Sequence, residues 1–236
     1  MGVRDSRHSA AVRADDFSIL LLTLRVAAIA TLLILPLGIF AAWHLARRGG
    51  ALRTFLETVL SLPLVLPPTA VGLLLLEALR THGPLGRLLD RAGIEILFTW
   101  KAVVLATAVM SFPLLVRPMR TAFEEIDPRL LAMGRSLGSG PVAVFRRVAL
   151  PLAWRGTLAG VLLAFSRALG EFGATIMIAG SIPGRTQTMA LAIFQRTHIG
   201  QDEGAMRLVA VTVVIAFAIV WTSEVLTRRR TQRTAA

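Results

Sequence analysis

Residues 124–151 read EEIDPRLLAMGRSLGSGPVAVFRRVALP, and this stretch decides the architecture of the chain. It is polar and rich in arginine, yet apolar segments flank it on both sides. Asp127 followed by Pro128 suits a helix N-cap and first helical position. The pattern predicts a helix from there through Leu137, with Leu130, Leu131, Met133 and Leu137 giving it an apolar side. Gly138-Ser139-Gly140-Pro141 breaks that helix, and Gly138 permits a left-handed backbone or the close approach of a partner. Pro141 restarts a short helix that ends at Leu150-Pro151, and its Val142, Phe145 and Val148 can pack back under a membrane. A helix–break–helix element on the face of a membrane protein is a docking knob for a soluble partner. Read from its residues alone, the stretch is also compatible with an amphipathic helix lying on lipid headgroups.

The rest of the composition makes a membrane the expected setting. The chain has 236 residues, 55% of them hydrophobic, and a mean hydropathy of +0.67. That excludes an ordinary soluble domain of this size. There is no cysteine, which excludes a disulfide framework and thiolate metal sites. The net charge is +12, and Lys101 is the one lysine among 26 basic residues. The arginines lie between apolar runs rather than on one basic domain. They therefore read as topology and headgroup anchors, and no nucleic-acid partner is expected. Residues 1–16 are polar and mixed in charge, without the short apolar core and cleavage site of a removed signal peptide.

A helix needs about 20 mostly apolar residues to cross the bilayer core. Five segments qualify, at about 17–43, 55–79, 101–119, 154–178 and 206–226. The reading is an all-α integral membrane protein with a polar tail at 1–16, one membrane domain at 17–227 and a basic tail at 228–236. The loop at 120–151 belongs to the membrane domain. Fourteen basic residues lie on the side of that loop and of the C-terminus, against ten on the other side. Positive charge collects on the cytoplasmic side, so the loop and the C-terminus are expected there and the N-terminus outside.

Two segments carry unusual residues. The second contains SLPLVLPPTAVG (61–72), with Pro63, Pro67 and Pro68 inside a span and Thr69 beside them. Each proline removes a backbone donor and crowds the preceding turn. Irregular backbone at membrane depth survives where protein buries it or where it lines a wet cavity. A broken helix beside a pathway and a simple packed kink are both compatible with that. The fourth contains LLAFSRALGEFGATIMIAG (162–180), with Arg167 and Glu171 four apart on one helical face. Ser166, Gly170, Gly173 and Ala174 permit close helix approach there. A structural ion pair is the favoured role, because the carboxylate cancels the attraction of Arg167 for an anion. Gate candidates are the proline stretch with Thr69 and the 170–176 stretch, including Gly173 and Thr175. Arg25 is expected to snorkel to an interface. His8, His44, His82 and His198 have no metal-ligand spacing, and no GxSxG, HExxH or Walker A pattern occurs. No catalytic or metal-binding residues are expected, so energy for any vectorial work must come from elsewhere.

The loop resembles the signature loop of binding-protein-dependent ABC importer permeases, written EAA, three residues, G, nine residues, I, one residue, LP. Ala132-Met133-Gly134 occupies the EAA positions, Gly138 is the motif glycine, and Val148-Ala149-Leu150-Pro151 closes the pattern at the right spacing. The usual Glu is Ala132 and the usual second alanine is Gly134, which removes any salt bridge that the Glu would make to an ATPase. The stretches 61–72, 111–131, 150–188 and 189–194 are similar to the molybdate branch of the family, and the likeness covers about 17–226. This resemblance implies the type I ABC importer permease fold with a core of about five transmembrane helices, in the bacterial cytoplasmic membrane. It implies a homodimer with one pathway on its two-fold axis, and two cytoplasmic ATPase subunits that hold the ATP and Mg, with no cofactor in this chain. It also implies an extracytoplasmic molybdate-binding protein as donor.

On that resemblance the coupling residues are Arg129, Ala132, Met133, Gly134, Leu137, Gly138, Val148, Leu150 and Pro151. ATP binding would draw the two loops together and open the pathway outward; hydrolysis would reset it. The loops at 81–99 and 181–204 would face the binding protein. There Arg87, Arg91, Arg185 and Arg196 either meet its carboxylates or stay solvated. Tungstate or sulfate transport on the same fold is the alternative within the family. A passive channel or sensor, which needs no ATPase, is the alternative from another class. A membrane enzyme built on Arg167 and Glu171 lacks the partners of a reaction centre.

Overall fold

The computed structural model describes residues 2–228, with side chains described for 15–222. Helix is the regular structure throughout the described residues. Helix α1 (Gly2–Arg47) is followed by α2 (Ala51–Val65) and α3 (Pro68–Leu79), then by the short α4 (Gly86–Arg91). Helix α5 (Trp100–Glu124) leads into the loop, which holds α6 (Pro128–Ser136), α7 (Pro141–Val144), a π-helical turn (Phe145–Ala149) and α8 (Leu150–Leu152). The chain then forms α9 (Trp154–Leu169), α10 (Gly173–Ala179), α11 (Met189–His198) and α12 (Asp202–Arg228). The polar segment 1–16 continues α1 as helix from Gly2. The basic tail 228–236 lies outside the described residues beyond Arg228, and with it the arginines at 229, 230 and 233.

Three helices are long and apolar enough to cross a membrane unaided: α1 over Asp15–Arg47, α5, and α12 over Asp202–Thr222. Two bent pairs raise the number of candidate spans to five: α2 with α3, turned by 110°, and the stretch 141–152 with α9, turned by 71°. Helix α5 is the axle. Thr99 caps it, accepting from the Lys101 N–H at 3.3 Å, and thirteen of its residues are buried. Two-thirds of its apolar window is interior, against about a tenth for α12, which presents Val213, Val214, Phe217 and Trp221 outward.

Glycines set how closely helices approach α5. A Cβ on Gly160 of α9 would stand 2.5 Å from the Leu115 carbonyl oxygen, and one on Gly156 would strike Ala122 and sit 2.8 Å from the Pro118 oxygen. From the other side, a Cβ on Gly38 of α1 would stand 2.5 Å from Leu115 Cδ2. In lipid there is little hydrophobic gain from joining two helices, so such close backbone contact supplies the cohesion.

The fourth expected span, 154–178, is not continuous. α9 stops at Leu169, residues 170–172 are irregular, and α10 restarts at Gly173. No proline is responsible. The Glu171 carboxylate Oε1 accepts the Ala174 N–H at 2.9 Å, which supplies the acceptor that the broken ladder lacks.

A small second core pins the far end, away from the loop. Ile19, Met189, Ala192 and Leu208 pack together, and the Met189 N–H donates to Thr23 Oγ1 at 2.9 Å.

Gly160→Val should lower the stability of the purified permease by about 1–3 kcal/mol, since the added atoms meet backbone that cannot yield. Gly170→Ala, where a Cβ meets open space, should leave thermal unfolding in detergent unchanged.

Candidate functional site

The loop folds as a capped knob. Asp127 Oδ1 accepts the Arg129 N–H at 2.8 Å, and Pro128 fills the first helical position, so α6 starts without an orphan donor there. It ends in a Schellman motif: Ser139 N–H donates to Gly134 O at 3.2 Å and Gly138 N–H to Arg135 O at 2.9 Å. Gly138 has φ +79°, a left-handed conformation that glycine adopts without a Cβ penalty.

Leu131 is buried, while Leu130, Met133 and Leu137 point outward, Leu137 at 84% exposure. Arg129, Ala132 and Pro151 are exposed, and Gly134, Val148 and Leu150 are half-buried. Val142 was expected to pack inward but is 68% exposed, and Val144 is buried in its place. Counted from Pro141 at the first position of α7, Val144 falls on the inner face. The π turn then adds one residue and keeps Phe145 and Val148 against the core.

An aromatic cluster holds this knob to the bundle. Trp43 at the end of α1 meets Phe123 at the end of α5 and Phe145 of the π turn edge-on, with ring centroids 5.3 and 5.0 Å apart. Arg47 lies over the Trp43 ring at 4.0 Å. Three segments distant in sequence therefore share one contact.

The two broken spans meet each other. A Cβ on Gly72 of α3 would stand 2.9 Å from the Ala174 backbone, and one on Gly173 would stand 2.6 Å from Pro68 Cβ. Pro67, Pro68 and Thr69 are exposed at the break and Pro63 is half-buried inside α2. Arg167 and Glu171 pair, Nη2 to Oε2, at 2.7 Å, with the Glu171 side chain 2% exposed. Gly173 and Thr175 are buried and serve packing, whereas Gly170 is exposed.

One arrangement was not read from the sequence at all. Helix α2 has no buried residue, yet it is fastened to α5 by an antiparallel ladder of polar rungs. Arg53 pairs with Glu124, Glu57 with Arg120, and Arg117 Nη2 donates to Ser61 Oγ at 2.9 Å. Arg53 Nε also reaches Glu57 Oε1 at 2.6 Å along α2. The available signal was the spacing of 53, 57 and 61 against 117, 120 and 124, each set on one helical face. Choosing the partner helix requires the tertiary fold.

At the far end Arg196 is already engaged. Its Nη1 pairs with Asp16 at 2.6 Å and donates to Gly204 O at 3.2 Å, and Arg207 also approaches Asp16. Arg196 is thus a structural clasp rather than a residue offered to a partner. Arg87, Arg91 and Arg185 form no ion pair among the described residues. No cluster of three metal-ligating side chains occurs among them either.

A bundle of apolar helices that carries a capped knob at one end is the architecture of a membrane-embedded protein. Residues 34–232 match the family described as the binding-protein-dependent transport system inner membrane component. The chain belongs to that family, as a multi-pass inner-membrane permease subunit. It is 44% identical over 220 residues to the molybdenum transport system permease protein ModB of Escherichia coli, spanning 92% of this chain and 96% of that one. It is 40% identical over 216 residues to the protein of the same name in Haemophilus influenzae, spanning 91% and 94%. A bacterial ABC transporter involved in import of the acidic polysaccharide alginate has the same fold, with TM-score 0.70, 16% identity, and 91% of this chain and 79% of that chain covered.

Glu171→Gln should keep an oxygen for the Ala174 N–H but lose the ion pair. Glu171→Leu should lose both. Unfolding midpoints should fall in the order wild type, Gln, Leu, with a loss of about 1–3 kcal/mol for each interaction removed.

Proposed function

We propose that the chain is the permease subunit of an ATP-driven importer that moves molybdate across the bacterial cytoplasmic membrane. The observation that carries this reading is the capped knob with its exposed apolar face, Leu130, Met133, Leu137 and Val142, around the left-handed Gly138. An apolar face held out from the membrane domain on a rigid support suits insertion into a cleft of a soluble ATPase better than a lipid surface. A membrane-surface helix would not need the sharp turn at Gly138. Molybdate as the cargo is supported by the likeness to the two molybdenum transport permeases, which extends over nearly the whole length of this chain. Tungstate, of the same shape and charge, is the nearest competitor.

In this reading the knob and the C-terminus lie in the cytoplasm and the N-terminus outside, as the arginine bias predicts. Two copies form a homodimer, and α2, with no buried residue, faces the shared pathway. A partner ATPase subunit holds ATP and Mg beneath each knob, and an extracytoplasmic binding protein delivers the oxyanion to the far end. When the ATPases close, each knob is displaced. The Trp43–Phe123–Phe145 cluster passes that displacement to α1 and α5, and the ladder passes it from α5 to α2. The permease needs only weak contacts to its cargo, because a deep site would slow release.

The test is reconstitution of the chain in proteoliposomes with its ATPase and binding protein. Molybdate-loaded binding protein should stimulate ATP hydrolysis and molybdate uptake, and sulfate-loaded protein should not. Gly138→Val places a β-branched residue in the left-handed region at a strain of about 1–2 kcal/mol and should abolish most of the stimulation. Failure of the wild-type chain to associate with any ATPase would refute the reading.

A further inference from the structure

We propose that the top rung of the ladder, Arg117 with Ser61, is a transient binding place for the tetrahedral oxyanion as it leaves toward the knob end. This rests on the transport reading above. The lower two rungs each set a guanidinium against a carboxylate, Arg53 against Glu124 and Arg120 against Glu57. In the third rung the acceptor is a hydroxyl. Arg117 consequently forms no ion pair among the described residues and spends one donor on Ser61. The Ser61 hydroxyl accepts there and donates to no described group, so its proton is available to an anion. Both side chains line an open cleft of about 550 Å³ between α2 and α5. The ionised groups lining that cleft are Glu57, Arg117 and Arg120, a surplus of one positive charge. Glu57 is held by Arg53 and Arg120, which leaves Arg117 as the uncompensated cation.

The ligand chemistry follows from these groups. A tetrahedral dianion accepts hydrogen bonds and donates none. Arg117 offers several remaining N–H donors in a planar fork, and Ser61 adds one more. Ser61 lies five residues before the Leu66-Pro67 break, so an oxyanion passing the break reaches this rung next on the way down α2. The Glu57 carboxylate, one turn further along α2, keeps Arg53 and Arg120 occupied, so only one guanidinium is left for the anion. A single strong donor group in an open cleft gives weak, reversible binding. The same chemistry would take the phosphate of a lipid headgroup, and the experiment separates the two sources.

The complex of permease and ATPase is placed in nanodiscs without nucleotide, and binding of radioactive molybdate is measured for wild type, Arg117→Gln, Arg117→Lys and Ser61→Glu. Ser61→Glu supplies the missing carboxylate and closes the rung. Co-purification of the ATPase verifies that each variant is folded. Arg117→Gln and Ser61→Glu should each weaken binding about tenfold, as expected for loss of a charge-assisted contact, and Arg117→Lys should retain part of it. The same values in zwitterionic and anionic lipid would support the oxyanion as occupant. Binding that disappears in anionic lipid would assign the rung to a headgroup and overturn the proposal. Equal affinity in all four proteins, from a complex that imports molybdate, would overturn the proposal alone. A wild-type complex that imports no molybdate would overturn the transport reading and the proposal with it.

Discussion

Every backbone donor freed at membrane depth has to find a partner, in the protein or in the water of a cavity, and the permease breaks two of its apolar segments. The two solutions differ. At the end of α2, the break is made by Pro67 and Pro68, which have no N–H to orphan. Thr69 is exposed at the break, and the donors after it, Ala70 and Val71, reach back to Pro67 O at 2.9 and 3.1 Å. Between α9 and α10 there is no proline, and a buried carboxylate takes the donor instead. That carboxylate needs its own countercharge, and Arg167 supplies it one turn earlier. The intramembrane ion pair is thus a consequence of the break. Because α3 and α10 pack through Gly72 and Gly173, the two breaks support each other and form one irregular layer midway through the bundle.

Below that layer α5 acts as the common support. Its last two turns carry Arg117, Arg120 and Glu124 toward α2, Phe123 toward α1 and the π turn, and then pass directly to the Asp127 cap of the knob. The glycines of α9 lock that helix to the same stretch, at Leu115 and Pro118. The knob is therefore continuous with a tightly packed helix pair, whereas α2, which has no buried residue, is held to that pair by polar rungs.

The knob was legible in the sequence because its determinants are local. Asp127-Pro128 starts a helix and Gly138 ends it whatever surrounds them. The bend at Pro67-Pro68 was legible for the same reason. Val142 was assigned to the wrong face because a π turn changes the period within one turn of helix, and no residue type announces it. The Glu171 break left a trace, a carboxylate deep in an apolar run, but the trace fits an unbroken helix equally well. Gly156 and Gly160 stand four apart in plain view, and their small size marks close approach without naming the helix approached. The ladder and the Asp16–Arg196 clasp join residues far apart in the chain, so spacing alone carries no information about either pairing.

The cluster at Trp43 has an optical consequence. The chain contains no tyrosine and four tryptophans, so its near-ultraviolet dichroism and its emission arise from few indoles. Trp43 is the one wedged between Phe123, Phe145 and a guanidinium. An indole held edge-on between two rings and beneath a cation has an asymmetric, fixed environment, and any shift of the π turn rearranges it. The unmodified protein thus carries its own chromophore at the joint between the knob and the helix bundle, placed to report any rearrangement of that joint.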